Sequence, residues 1–307
     1  MSKIDNILIY HWQAWSGFLI SHLVADYCHV EAKYHDDISH IENALTPNIK
    51  AILLQINLSH SALYPEKRQQ LINALEARNI QVLNKNIGDI RKDNLHDMVH
   101  QAGLKSAKAK REGEPDQLLF IKSKLNWGGL TELRLPEQEQ IKFIDCKATH
   151  IKSWDEYYTL TRGEVSDELW ADNSIVIENY IENSDNTFYR VYGFGHALVV
   201  VEGHSNMLIK KIIEDPKDQN SQFSKYQILN EETSLPVKLQ ETIKKFISHH
   251  HIDYYCLDIV HNSKEFFIID LNLTPYAGMS SQCEISTMFL IQGIQEQLSE
   301  TSSKEDV

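Results

Sequence analysis

The segment FFIIDLNLTP, residues 266–275, is an apolar run that ends in a carboxylate, an amide and a proline. Successive side chains of a strand point to opposite faces, so plain alternation places Phe266, Ile268, Asp270 and Asn272 on one face and Phe267, Ile269 and Leu271 on the other. A face that passes from apolar residues to oxygen donors suits a hard cation. The same two polar residues also read as caps of the turn set up by Pro275. Upstream, Asp258 lies in a second apolar run, YYCLDIV. If the connection between the two strands holds an odd number of residues, Asp258 and Asp270 project to the same face. Two carboxylates and an amide would then sit together only with a cation between them. Magnesium shared with a nucleotide fits, because it takes one or two carboxylates and completes its shell with phosphate and water. The plainer alternative is that Asp258 is a solvated strand residue.

Three further stretches carry usable side chains. In LLFIKSKLNWGG, residues 118–129, Leu118, Phe120 and Lys122 share a strand face, and Asn126, Gly128 and Gly129 form a turn just beyond. An ammonium group beside backbone N–H groups can cradle a phosphate. The stretch lacks the spacing of a P-loop or a dinucleotide fingerprint, and a hairpin tip with a surface lysine would look the same. In IVIENYIENSDN, an apolar strand ends in Glu178, Tyr180 and Ile181. Backbone leaving a sheet there can pair with an adenine edge while Ile181 packs on its face, or the segment is simply an amphipathic strand end. In FYRVYGFG, Arg190 shares a face with Phe188 and Tyr192. A guanidinium so held suits bidentate binding of a carboxylate or phosphate, with a structural ion pair as the alternative.

The elements that must position these groups follow from periodicity. NILIY, HVEAKY, KAILLQI and IQVLN read as strands, and PEKRQQLINALEARN as a helix with Pro65 in its first turn and Leu71, Ile72 and Leu75 on one stripe. That order predicts a small α/β module with a parallel sheet, ending near Asn84. A helix in GDIRKDNLHDMVHQAGL, stopped by Gly103, leads into a strand-rich region: LLFIKSKL, KFIDCKATHI, SIVIENYI, TFYRVYGFGHALVVVEG and NMLIKKII. The last third has the helix VKLQETIKKFISHHH, the two strands around HNSKE and a closing helix near STMFLIQGIQEQL. The stretch from Trp154 to Trp170 yields no element. The fold class is therefore a leading α/β module followed by α+β segments.

Composition narrows the function classes. The 307 residues, 42% hydrophobic and 24% charged, can build two or three packed modules. A formal net charge of -13 repels phosphate backbones and argues against nucleic acid as a partner. No apolar run has the length of a signal peptide or a membrane span, so the expected location is cytoplasmic and no membrane partner is expected. Cys28, Cys146, Cys256 and Cys283 lack CxxC spacing and read as buried thiols rather than a zinc site or disulfide framework. His249, His250 and His251 end a helical pattern, where cationic groups suit the helix C-terminus. The tail SETSSKEDV has almost nothing to bury and reads as disordered.

The four chemistry-bearing stretches, in this order, resemble the ATP-grasp superfamily. LLFIKSKLNWGG is similar to its phosphate-binding strand and glycine loop, VIENYI to its adenine hinge, FYRVYGF to its arginine strand, and YYCLDIVHNSKEFFIIDLNLTP to its metal-binding hairpin. The resemblance covers about residues 85–295. It implies a pre-ATP-grasp α/β domain over 1–86, a central subdomain over 87–177, a C-terminal subdomain over 178–298 and a disordered tail over 299–307. The nucleotide would lie between the two α+β subdomains. Carried over, Lys92 and Lys122 hold phosphates with Gly128 and Gly129 closing over them. Glu178, Tyr180 and Ile181 take the adenine, and Asp185 the ribose. Asp258, Asp270 and Asn272 take magnesium, with manganese as an alternative.

Two departures stand out: many members carry Glu where this chain has Asp270, and Trp127 makes the glycine loop bulky. The implied activity is a carboxylate–amine ligase working through an acyl phosphate, with Arg190 and Lys122 as its catalytic cations. Its substrates would be a small-molecule carboxylate and amine (an amino acid, a peptide or a sugar acid), and a homodimer is compatible with the family. The alternatives are an ATP-grasp kinase acting on a hydroxyl and a non-catalytic nucleotide-binding module.

Overall fold

The computed structural model describes residues 3–12, 18–32, 38–56, 58–143, 151, 156–195, 197–205, 208, 226–229, 235–276 and 284–304. The leading module runs β1 (Ile7–Trp12), α1 (Ile20–Leu23), β2 (His29–Ala32), α2 (Ile38–Glu42), β3 (Ala51–Gln55), α3 (Leu58–Ser61), α4 (Pro65–Glu76) and β4 (Gln81–Leu83). Its four strands lie in the order β2-β1-β3-β4 and every pairing is parallel. Parallel strands are covered on both faces, which is why β3 is buried at all five positions. Pro65 opens α4, where a missing N–H costs nothing, and Leu71, Ile72 and Leu75 form its buried stripe as the spacing requires.

Beyond β4 the chain forms α5 (Lys92–Gln101), ended by Gly103 at φ +64°, and β5 (Leu118–Ser123). A short 3-10 turn over Asn126–Gly129 and α6 (Glu137–Gln140) follow, then β6 (Tyr158–Thr161), α7 (Asp167–Ala171) and β7 (Ile175–Asn179). These strands make an antiparallel sheet in the order β6-β5-β7. The remaining elements are β8 (Thr187–Phe194), β9 (Ala197–His204), β10 (Tyr226–Leu229), α8 (Val237–His250), β11 (Tyr254–His261), β12 (Phe266–Asn272) and α9 (Glu284–Lys304). They build a five-stranded antiparallel sheet in the order β10-β9-β8-β11-β12.

Several expectations are corrected. The strand expected over 142–151 begins instead as a 3-10 turn, Ile141–Phe143, continuing α6, which starts after Pro136; residues 144–150 lie outside the described residues. Of the strand expected at NMLIKKII only Leu208 is among the described residues, and Cys146 and Cys283 lie outside them. The stretch that gave no element contains β6 and α7, the latter capped by Ser166, whose side chain accepts from the Leu169 N–H. The closing helix continues to Lys304, into the tail expected to be unfolded. His251 ends α8 in the left-handed region at φ 52°, its N–H donating to the Ile247 carbonyl.

Candidate functional site

The site is built around the β11–β12 hairpin. Its loop, Asn262 to Glu265, holds an even number of residues between the paired His261 and Phe266. The Asn262 side-chain oxygen fixes that loop by accepting the N–H groups of Lys264 at 2.9 Å and Glu265 at 2.8 Å. With that loop alone, Asp270 would face away from Asp258. A register shift corrects the count: Ile259 pairs with Ile268 and Asp258 with Asp270, leaving Ile269 as the extra residue of a β-bulge. Plain alternation therefore fails at Ile269. Ile268 and Leu271 pack with Leu257 and Ile259 in one core, while Phe267 packs with Cys256 and Val260 in the other. Asp270 and Asn272 pair with Asp258 and Cys256, so they lie on the Phe267 face and not, as alternation predicts, on the Ile268 face.

Across the other edge of β11, Asp258 pairs with Arg190 of β8. The guanidinium forms a fork, Nε to Oδ1 at 2.8 Å and an Nη to Oδ2 at 2.9 Å. Burial opposes the guanidinium charge, but Asp258 outweighs it and raises the group further. Arg190 shares its face with Phe188 and Tyr192, as the spacing predicts, and both pack in the core of that face. Each Asp258 oxygen keeps a second lone pair for another ligand.

Asp270 is different. Its Oδ1 is buried without a hydrogen-bond partner, and the Lys92 ammonium stands 3.7 Å away. Burial pushes its carboxyl up, Lys92 pulls it down and Asp258 adds to the rise. An orphaned carboxylate oxygen beside a second carboxylate suits a hard cation, so the donors fit magnesium. Asn272 caps the following turn, its Oδ1 accepting the Thr274 N–H at 2.8 Å and hydroxyl at 3.2 Å. Among the described residues no three His, Cys, Asp or Glu side chains group as a metal site. A cation here would rest on two carboxylates, the amide and outside oxygens, which is magnesium's habit.

The second half of the site comes from β5, β7 and α5. Lys122, 4% exposed, meets Glu178 Oε1 at 2.6 Å. His96 Nε2 lies 3.0 Å from the same oxygen, and Ser106 Oγ 2.9 Å from His96 Nδ1. Burial alone would raise the Glu178 carboxyl, but Lys122 and then His96 outweigh it and hold the group at about 2. Lys92 Nζ donates to the Leu125 carbonyl at 3.2 Å and to Asn126 Oδ1 at 3.0 Å. The two halves are stitched to β12: Lys122 Nζ donates to the carbonyl of the bulged Ile269 at 3.3 Å, and Asn126 Nδ2 to that of Leu271 at 3.2 Å.

The structure thus brings Lys92, Lys122, Glu178, Arg190, Asp258 and Asp270 together. The turn beside them has three successive left-handed residues, Trp127 at φ 53°, Gly128 at φ 70° and Gly129 at φ 84°, and Trp127 is exposed. Glycine carries two of those positions without strain. Tyr180 N–H continues the ladder to the Leu118 carbonyl at 3.0 Å, and Ile181 packs against the larger core. Asp185 sits apart: its Oδ1 accepts the Thr187 N–H at 3.0 Å and lies 3.4 Å from His261 Nε2. Sequence reasoning missed His96. Its signal is the i, i+4 spacing from Lys92 on α5, which puts both side chains on one face.

Solved structures of similar fold match over nearly the whole chain, and three serve as examples. A RiPP-associated ATP-grasp ligase from Chryseobacterium gregarium, in complex with ADP and a leader and core peptide, superposes with a TM-score of 0.54 at 12% identity, covering 97% of this chain and 97% of that one. The chain has the ATP-grasp fold. D-cycloserine synthetase gives a TM-score of 0.52 at 9% identity, over 95% of this chain and 99% of that one. D-alanine–D-alanine ligase from Bacillus anthracis gives 0.50 at 12% identity, over 99% and 100%. No protein-family model and no curated relative matches the sequence. Cys28 and Cys256 are buried free thiols. Among the described residues no helix is long and apolar enough to cross a membrane.

Proposed function

We propose that the chain is an ATP-dependent carboxylate–amine ligase, with domains over 1–86, 87–177 and 178–298. What carries the reading is the meeting of Lys92 and Lys122 with the Asp258–Asp270 pair where the turn after β5 docks on β12. Cations from α5 and β5 then face carboxylates from the β11–β12 hairpin, as binding a magnesium nucleotide between them requires. Lys122 and Lys92 neutralise phosphate oxygens, and Glu178 and His96 hold Lys122 in place. Tyr180 and Ile181 border the adenine, Asp185 the ribose, and the backbone of Gly128 and Gly129 the phosphates. Asp258, Asp270 and Asn272 would hold magnesium, which offsets phosphate charge when bound.

The substrate carboxylate oxygen attacks the terminal phosphorus of ATP, the bond to the bridging oxygen breaks, and ADP leaves. An amine then attacks the acyl carbon, the carbon–oxygen bond breaks, phosphate leaves and the amine gives up a proton. Arg190 stabilises charge on the acyl phosphate and on the oxyanion that follows. One similar structure is a D-alanine–D-alanine ligase and another holds a leader and core peptide, so an amino acid or peptide carboxylate is the substrate class proposed. An ADP-release screen of carboxylates crossed with amines tests it: release that needs both supports the ligase, and release with an alcohol acceptor alone assigns a kinase.

A further inference from the structure

Tyr157 stands one residue before β6, and the register of the three-stranded sheet fixes which way it faces. Thr159 lies opposite Phe120 and Tyr158 opposite Ile121, so Tyr157, two residues from Thr159, shares the sheet face of Phe120 and Lys122. Glu178 lies opposite Phe120 from the other side and belongs to that face as well. The Tyr157 ring meets the Phe120 ring edge-on with centroids 6.1 Å apart, and the Lys122 ammonium lies 5.6 Å from the centre of the same Phe120 ring. The side chain is half-buried, but its hydroxyl oxygen is buried and has no hydrogen-bond partner. Buried hydroxyls are paired as a rule, and for packing alone a phenylalanine would serve better.

What surrounds the hydroxyl selects its ligand. Burial pushes it well above its ordinary 10; Lys122 opposes the rise, Asp270 adds to it, the Gly128 N–H opposes it and Glu178 adds to it, so the group stays a donor. A donor beside an ammonium group and a turn N–H calls for an anion. A free carboxylate would be repelled by Asp270, which follows Ile269, the residue whose carbonyl accepts from Lys122 Nζ. An anion that brings its own cation escapes that repulsion, and the terminal phosphates of a magnesium nucleotide are such an anion.

We propose that Tyr157 is a phosphate-binding residue, whose hydroxyl donates to a non-bridging oxygen at the magnesium-bound end of the nucleotide, next to Lys122 and the Gly128–Gly129 turn. The proposal rests on the nucleotide site of the ligase reading and not on which acceptor is activated there. The contact carries no charge, so it orients the phosphate chain while Lys122 neutralises it. With its ring set against Phe120, the hydroxyl is in place before the nucleotide arrives, and binding costs little side-chain ordering.

The experiment compares wild type with Tyr157→Phe, which keeps the ring and removes the hydroxyl. Calorimetry measures binding of ADP and of a non-hydrolysable ATP analogue, each with magnesium, and of AMP and adenosine. The variant should bind the ATP analogue, or the analogue and ADP alike, about tenfold more weakly, and AMP and adenosine as wild type does. Unchanged affinity for both magnesium nucleotides overturns the proposal. So does a loss already present with AMP or adenosine, because the hydroxyl would then meet the nucleoside end. Without ligand, the unfolding midpoint of Tyr157→Phe should match or exceed that of wild type, because no pairing is lost; a lower midpoint means the hydroxyl is already paired and also overturns it. The ligase reading fails separately: if wild type binds the magnesium nucleotides but releases no ADP with any carboxylate and amine, that reading falls and the phosphate contact stands. A wild type that binds no nucleotide overturns both.

Discussion

Asp258 and Asp270 stand opposite one another because Ile269 bulges between them and the hairpin loop. The loop alone would turn the second carboxylate to the far face. One inserted residue thus sets the charge of the cleft, and its freed carbonyl accepts from Lys122.

Asp270→Asn should stabilise the protein while abolishing ATP turnover. Burial raises the Asp270 carboxyl above its ordinary 3.8, so ionising it costs stability as pH rises past that value. The amide removes the cost at neutral pH. Thermal unfolding without metal or nucleotide checks the first half, and ADP release the second. Near-wild-type turnover in limiting magnesium would remove Asp270 from the metal set.

Glu178→Gln should do the reverse. The carboxyl is held at about 2 against an ordinary 4.5, which at neutral pH corresponds to about 3 kcal/mol of stability. That contribution is complete above pH 4.5 and fades as pH falls toward 2. The variant strands Lys122 as a buried cation, so urea unfolding should show a loss of about 3 kcal/mol at pH 7 and a flatter acid limb. Its nucleotide affinity should fall too, since Lys122 loses its anchor.

Arg190→Ala should cut trapped acyl product by about a hundredfold or more while changing ATP affinity little. Arg190→Lys should recover only part of that, because an ammonium cannot reproduce the fork on Asp258. Comparing nucleotide binding with product formation in the two variants separates the roles.

Much of this was legible in the sequence. Apolar strands alternating with the Pro65 helix announce the parallel sheet, and the order of the lysine strand, arginine strand and acidic hairpin announces the site. What was hidden depends on register and on long-range pairing. The bulge at Ile269 leaves no mark in a run of uniformly apolar residues. β6 has only half-buried positions and lies at a sheet edge, so YTLT carries little contrast. His96 sits on an amphipathic helix, where a buried histidine looks like packing until Glu178, from a strand far along the chain, is placed beside it. Tyr157 stands just before β6, and nothing local tells that its hydroxyl is unmet.

The proposed chemistry begins with activation of a carboxylate by ATP. Incubation with carboxylates, ATP, magnesium and hydroxylamine tests it most directly, because an acyl phosphate is an activated carbonyl that a small nucleophile intercepts. A hydroxamate should form in step with ADP. Release of ADP with a stable phosphorylated alcohol and no hydroxamate would contradict it.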